Sequence, residues 1–375
     1  MIQRQLLKTL INNQRTGFIN IIYGTRRVGK TVLLEQLKNH YQTEKILFIN
    51  GDTDEGRELL SENSEVKLSN LVKNYTCIFI DEAQRIPNIG LSLKIIIDKF
   101  SDKKVFVTGS SSLELTRGIK ENLTGRNIVF QLYPFALTEI AATMEDYKKK
   151  YLLDELLIYG GYPYLRQLGQ PTDKQHYLKE IVDDYLFKDV LMLERIDNPD
   201  TFKKLAILLA WQIGNEVSLS ELAQNLNIDI KTVSRYLYLL EKSFVIFPLG
   251  AYAGNLRKEV AKSKKYYFYD LGIRNALVGQ FLPLNSRTDV GRLWENFLVV
   301  ERRKVLEYQR IVFEHYFWRA YSGAEIDLVE VINGRLAAWE FKWQDKKFKT
   351  PKQFREQYKI EAQLINQENF LEFIE

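Results

Sequence analysis

Gly24-Thr25-Arg26-Arg27-Val28-Gly29-Lys30-Thr31 is the first stretch of this chain whose residue types and spacing can do chemistry. It fits the pattern G-x-x-x-x-G-K-S/T without a mismatch, after a short apolar run and before a helical one. Glycines there let backbone N–H groups wrap phosphate oxygens, and the helix that follows adds the positive end of its dipole. Lys30 would reach the β- and γ-phosphates of ATP, and the Thr31 hydroxyl would ligate Mg²⁺. Further on, Cys77-Ile78-Phe79-Ile80-Asp81-Glu82 delivers two acids to the end of an apolar strand, where ligands bind in open α/β sheets. Asp81 would hold Mg²⁺ through water, and Glu82 would orient and activate the attacking water. A third strand, Val105-Phe106-Val107-Thr108, runs into Gly109-Ser110-Ser111-Ser112 and should lie beside the second. Thr108 or Ser110 would then sense the γ-phosphate, the alternative being a hydroxyl-rich turn. Arg117 and Arg126 follow, on the same side of the domain in this reading. Either is a candidate arginine finger, or else an ordinary salt-bridged surface arginine.

A second set of reactive residues lies near the C-terminus. Ala324–Ile332 alternates apolar and polar residues, Asn333-Gly334 is a strong hairpin turn, and Arg335–Lys342 returns. A two-residue loop sets Asp327 opposite Glu340 and Glu325 opposite Lys342, on one face. Two carboxylates and a lysine at one place suit Mg²⁺-dependent phosphodiester cleavage; cross-strand salt bridging is the alternative.

Between these sets, Ser218–Leu226 reads as a helix capped by Ser218 or Ser220, followed by a turn and a second helix over 231–242. Val233, Leu237 and Leu240 form its apolar stripe, which leaves Lys231, Thr232, Ser234 and Arg235 to meet DNA phosphates and base edges. Residues 231–274 hold nine Lys and Arg against three acids, a net +6 in a chain whose total is +5. Such a patch is an electrostatic footprint of nucleic-acid binding; a helix pair used for protein contacts is the alternative.

Several of these motifs resemble a prokaryotic AAA-type ATPase family of the AAA+ superfamily. They are Gly24–Thr31, Phe79-Ile80-Asp81-Glu82-Ala83-Gln84, Thr108-Gly109-Ser110-Ser111, Leu123-Thr124-Gly125-Arg126 and Leu132-Tyr133-Pro134-Phe135. Tyr159-Gly160-Gly161-Tyr162-Pro163 and Trp294-Glu295-Asn296 resemble the region of unknown function that follows the ATPase domain in that family. The resemblance implies an AAA+ core, a winged helix and a C-terminal restriction-endonuclease-like fold. Asp327 with Glu340-Phe341-Lys342 is similar to the PD-(D/E)XK nuclease signature, in which Glu295 would match an extra helical acid.

The elements that must position these residues follow from periodicity. Short apolar strands near 19–23, 45–49, 76–80 and 104–108 alternate with amphipathic helices, which implies a parallel sheet covered on both faces. The expected fold class is α/β: a P-loop domain over 1–133, a helical connector over 134–215, a winged helix over 216–282 and a restriction-endonuclease-like domain over 283–375. A single cysteine, Cys77, excludes an intrachain disulfide and suits a reducing, cytoplasmic setting. No apolar run is long enough to span a membrane, so the expected partners are ATP, Mg²⁺, DNA and a protein partner, with the oligomeric state open. The functional expectation is an ATPase coupled to a DNA-directed, nuclease-like module. Its alternative is an ATP switch that governs protein–protein contacts, with a non-catalytic C-terminal domain.

Overall fold

The computed structural model describes residues 2–109, 123, 125–186, 196, 198–253, 264–344 and 347–375. The chain forms two compact units, residues 1–135 with 242–244, and residues 136–241 with 245–375.

In the first unit, α1 (Gln5–Asn13) precedes β1 (Ile19–Tyr23), α2 (Lys30–His40), β2 (Ile46–Asn50), α3 (Asp54–Ser61) and α4 (Glu65–Val72). β3 (Cys77–Asp81), α5 (Ile89–Lys99), β4 (Lys104–Gly109) and β5 (Asn127–Gln131) follow. The five strands are all parallel, in the order β2-β3-β4-β1-β5. Every residue of β1 and β3 is buried, as continuous apolar runs covered on both faces require. Ile19, Ile21, Ile78, Ile80, Val105 and Val107 build one face with Leu60, Leu68, Leu93, Ile96 and Ile97. On the other face the rings of Phe79 and Phe106 stack at 5.3 Å. Thr53 and Ser64 start α3 and α4 by accepting hydrogen bonds from Gly56 N and Lys67 N.

The second unit begins with α6 (Leu137–Ala141), α7 (Asp146–Tyr159), α8 (Pro171–Glu180) and α9 (Pro199–Trp211). Next come β6 (Glu216–Val217), α10 (Leu219–Leu226), α11 (Ile230–Lys242), β7 (Ile246–Ala251), β8 (Lys264–Phe268) and α12 (Leu271–Val278). The chain closes with α13 (Val290–Tyr308), β9 (Phe313–Arg319), β10 (Glu325–Ile332), β11 (Arg335–Phe341), α14 (Lys352–Tyr358), β12 (Gln363–Ile365) and α15 (Phe370–Ile374). Its seven strands form a single sheet, ordered β12-β11-β10-β9-β7-β8-β6. Periodicity alone separates 216–282 from 283–375, whereas β7 pairs in parallel with β9 and joins the two segments into one sheet. Ser218 rather than Ser220 caps α10, accepting from Glu221 N at 3.3 Å.

The Tyr159-Gly160-Gly161 motif is a backbone cradle for a buried carboxylate. Asp270 caps α12 by accepting from Ile273 N at 3.2 Å, and it also accepts from Gly161 N at 2.7 Å. Gly160 has φ +75°, and a Cβ there would lie 2.1 Å from Asp270 Oδ1. Burial raises the Asp270 carboxyl above its ordinary range, against the pull of these hydrogen bonds.

Beside it, Arg274 and Arg287 clamp Asp289. Arg274 donates from Nε to Ala210 O at 2.8 Å and from Nη1 to Asp289 Oδ2 at 2.7 Å. Arg287 donates to both Asp289 oxygens at 2.8 Å. Burial alone would raise the Asp289 pKa, but the Arg287 hydrogen bonds and the Arg274 charge outweigh it and hold it at about 2. A depressed folded-state pKa contributes stability that is fully present above the ordinary value and lost as pH falls through the folded value. Asp289→Asn is therefore expected to cost about 2 kcal/mol at pH 5, a difference that shrinks between pH 3.8 and 2. Urea midpoints of both proteins across that range check it; a difference independent of pH would contradict the clamp.

Candidate functional site

The P-loop lies between the end of β1 and the start of α2, at the carboxyl edge of the parallel sheet. Gly24 must be glycine, because a Cβ would stand 2.6 Å from the Leu132 carbonyl oxygen just past β5. Gly29 ends the loop in the left-handed region, and Lys30 opens the helix. Thr25 and Arg26 are half-buried, Arg27 is exposed and Val28 is in the core. Arg4 holds the loop from behind: it donates to Val28 O at 3.4 Å and to Tyr133 O, with its guanidinium 4.4 Å from the Phe135 ring centroid.

Strand order then brings the remaining groups together. Because β3 and β4 are parallel neighbours, Asp81 and Thr108 end side by side, and the Thr108 hydroxyl donates to Asp81 Oδ1. The Thr31 hydroxyl donates to Asp81 Oδ2 at 2.6 Å. Lys30 Nζ donates to the Gly24 and Thr25 carbonyls at 3.1 Å each and lies 3.7 Å from Glu82 Oε1. The Glu82 N–H donates to Thr108 Oγ1 at 3.0 Å, which helps to hold Glu82 at φ +48°. A non-glycine residue in that region carries local strain, a feature that concentrates at functional sites. Gln84 donates from Nε2 to Glu82 Oε2 at 2.5 Å. Motif spacing assigns Gln84 no role; its position two residues after Glu82, on the turn that leaves β3, is the signal for one.

A family model described as an AAA domain matches residues 16–141. The match falls chiefly on the first unit, whose P-loop and parallel five-stranded sheet fit an AAA-type P-loop domain. Two further models, described as domains of unknown function (DUF8612 and DUF4143), match residues 150–284 and 290–370. An uncharacterized protein of Methanocaldococcus jannaschii is 27% identical over 333 residues, covering 84% of this chain and 72% of that protein. One of Mycobacterium bovis is 27% identical over 268 residues, 71% of this chain and 58% of its own length. One of Haemophilus influenzae is 26% identical over 359 residues, 84% and 87%. Among solved structures, AMPPCP-bound DnaA from Aquifex aeolicus aligns with a TM-score of 0.31 at 16% identity, covering 63% of this chain and 86% of that one. Drosophila ORC bound to DNA aligns with a TM-score of 0.31 at 12% identity, covering 74% and 95%. Similarity that distant does not bear on activity.

One expectation for the AAA-type domain needs revision, and two others fall on residues that are not described. Arg126 is not on the nucleotide side. β5 runs parallel to β1 with Asn127 beside Ile19, so Arg126 sits at the amino edge of the sheet, opposite the P-loop, where it forms an exposed ion pair with Asp98. Ser110 and Arg117 lie outside the described residues.

In the C-terminal sheet the hairpin has the expected register, with Leu328 opposite Trp339 and Ile332 opposite Arg335. The turn residues Asn333 and Gly334 both have positive φ. The ladder stops at Leu328–Trp339, and beyond it Asp327 Oδ2 accepts from Phe341 N at 2.8 Å. Glu325 does not meet Lys342. Lys342 instead donates to Glu340 Oε1 at 2.5 Å, while Glu325 pairs with Lys265 of β8. Lys265 is also 3.0 Å from Glu295 Oε1, which accepts from the Tyr267 hydroxyl at 2.5 Å. Burial raises the Asp327 carboxyl well above its ordinary range, and the charges of Glu295 and Glu340 add to it. Glu340 is raised as well, chiefly by burial, and its Oε2 is buried without a hydrogen-bond partner. Among the described residues, no three His, Cys, Asp or Glu side chains form a metal cage.

The helix pair α10–α11 leads into antiparallel β7 and β8. Lys231, Ser234 and Arg235 are exposed on α11. The Thr232 hydroxyl donates to Asp229 Oδ2 at 2.7 Å, and its N–H donates to Oδ1 at 2.8 Å, so that side chain is committed to starting the helix. Of the nine basic residues counted over 231–274, Lys265 and Arg274 are buried in ion pairs and cannot belong to a surface patch. Three more, Arg257, Lys258 and Lys262, lie outside the described residues. Among the described residues, no helix is long and apolar enough to cross a membrane.

Proposed function

We propose that this chain binds and hydrolyses Mg·ATP in its AAA-type domain and uses the nucleotide cycle to act on DNA through its C-terminal unit. The observation that carries the reading is the convergence of Thr31, Thr108 and Glu82 on Asp81, with Lys30 at 3.7 Å from Glu82. Lys30 would exchange the loop carbonyls it now binds for β- and γ-phosphate oxygens. Thr31 and Asp81 fit Mg²⁺, since a hydroxyl and a carboxylate already meet at 2.6 Å; the ion would neutralise charge on the phosphates. Glu82, held by Gln84, takes the proton of the attacking water, and Thr108 fixes Asp81.

Support for DNA as the partner comes from the α10–α11 pair followed by β7 and β8, the order of a winged helix, with Lys231, Ser234 and Arg235 on the exposed face. Asp327, Glu340 and Lys342, with Glu295 nearby, support a metal-dependent phosphodiester site in the same unit. The buried, unpartnered Glu340 Oε2 fits a ligand to one divalent ion, which needs only one or two carboxylates when a phosphate completes its shell.

The test is ATP turnover with and without duplex and single-stranded DNA. Stimulation by DNA that weakens in Lys231→Ala/Arg235→Ala is the expected result. Turnover indifferent to both forms of DNA would favour a nucleotide switch that governs protein contacts.

A further inference from the structure

Lys265 belongs to the carboxylate cluster although it comes from β8, outside the hairpin that carries Asp327 and Glu340. Its side chain is 2% exposed, and its ammonium pairs with Glu325 and with Glu295 at 3.0 Å. The same ammonium stands 5.2 Å from the Phe317 ring centroid, so an aromatic face closes one side. Burial alone would lower its pKa, yet the charges of Glu295 and Glu325 raise it, so Lys265 stays cationic.

The charges divide unevenly. Glu295, Glu325, Asp327 and Glu340 face two ammonium groups, Lys265 and Lys342. Glu340 Oε2 is buried and unpartnered, whereas Glu295 and Glu325 are already paired through Lys265.

We propose that Lys265 is a resident cation that holds Glu295 and Glu325 and limits the cluster to a single divalent ion, bound at Asp327 and Glu340. The inference rests on the phosphodiester-site reading and specifies it. Lys265 acts as a positioning residue, because it sets which carboxylates remain open to the ion.

Equilibrium Mn²⁺ binding to the full chain without nucleotide tests this, read as free Mn²⁺ by electron paramagnetic resonance. The ions assigned to the cluster are those lost on Asp327→Asn/Glu340→Gln, which separates them from any ion at Thr31 and Asp81. Wild type is expected to hold one such ion, Lys265→Met two, and Lys265→Arg one. Two cluster ions in wild type would overturn the proposal, as would a count of one in folded Lys265→Met. No cluster ion in wild type would instead remove the metal reading on which the proposal rests.

Discussion

Glu82→Gln is expected to lower ATP turnover by about 10²–10⁴-fold, the usual contribution of a positioned general base, while ATP affinity stays close to that of wild type. The substitution keeps the shape and the hydrogen-bonding reach of the side chain, but an amide cannot take a proton from water. In the proposed mechanism nucleotide binding depends on the loop, Lys30 and Thr31, which the change leaves in place. Steady-state hydrolysis and equilibrium binding, measured on one preparation, separate the two effects. Turnover within a few-fold of wild type would remove Glu82 from the chemistry, and equal losses in binding and turnover would mean that it holds the ligand instead.

Gly160→Ala is expected to destabilise the second unit by about 2–5 kcal/mol, combining left-handed backbone strain with overpacking. The new methyl would stand 2.1 Å from Asp270 Oδ1, so the cap of α12 would have to move. Gly169 supplies the control, because a Cβ there meets nothing within 4 Å and its substitution by Ala should change stability by no more than about 0.5 kcal/mol. Urea unfolding of both variants checks the pair. Equal stabilities would contradict the cradle.

The parts of this molecule that are legible in the sequence are those set by local rules. The P-loop and the Asp81 strand announce themselves by spacing, and Asn333-Gly334 fixes the register of β10 and β11 through turn geometry. Thr108 can be placed beside Asp81 because a parallel neighbour ends at the same edge of the sheet. What the sequence hides depends on long-range arrangement. Arg126 follows a P-loop domain motif closely, yet strand direction carries it to the far edge. Glu325 and Lys342 are opposite by counting, but the ladder ends before reaching them, and Lys265 arrives from another strand to take Glu325. Lys265 and Tyr267 alternate on β8, and both reach Glu295. That alternation is the available signal, and the local excess of positive charge obscures it. The Asp289 clamp has no sequence signature, since Arg274, Arg287 and Asp289 become partners only once α12 and α13 are set together.

Everything proposed for the AAA-type domain depends on its P-loop holding Mg·ATP. Equilibrium binding of ATP to wild type and Lys30→Ala, with and without Mg²⁺, tests this most directly. Wild type is expected to show saturable, Mg²⁺-dependent binding that weakens by about tenfold or more in Lys30→Ala, the loss of a charge-assisted contact to phosphate. Absence of binding by wild type, or equal affinity in both proteins, would contradict it.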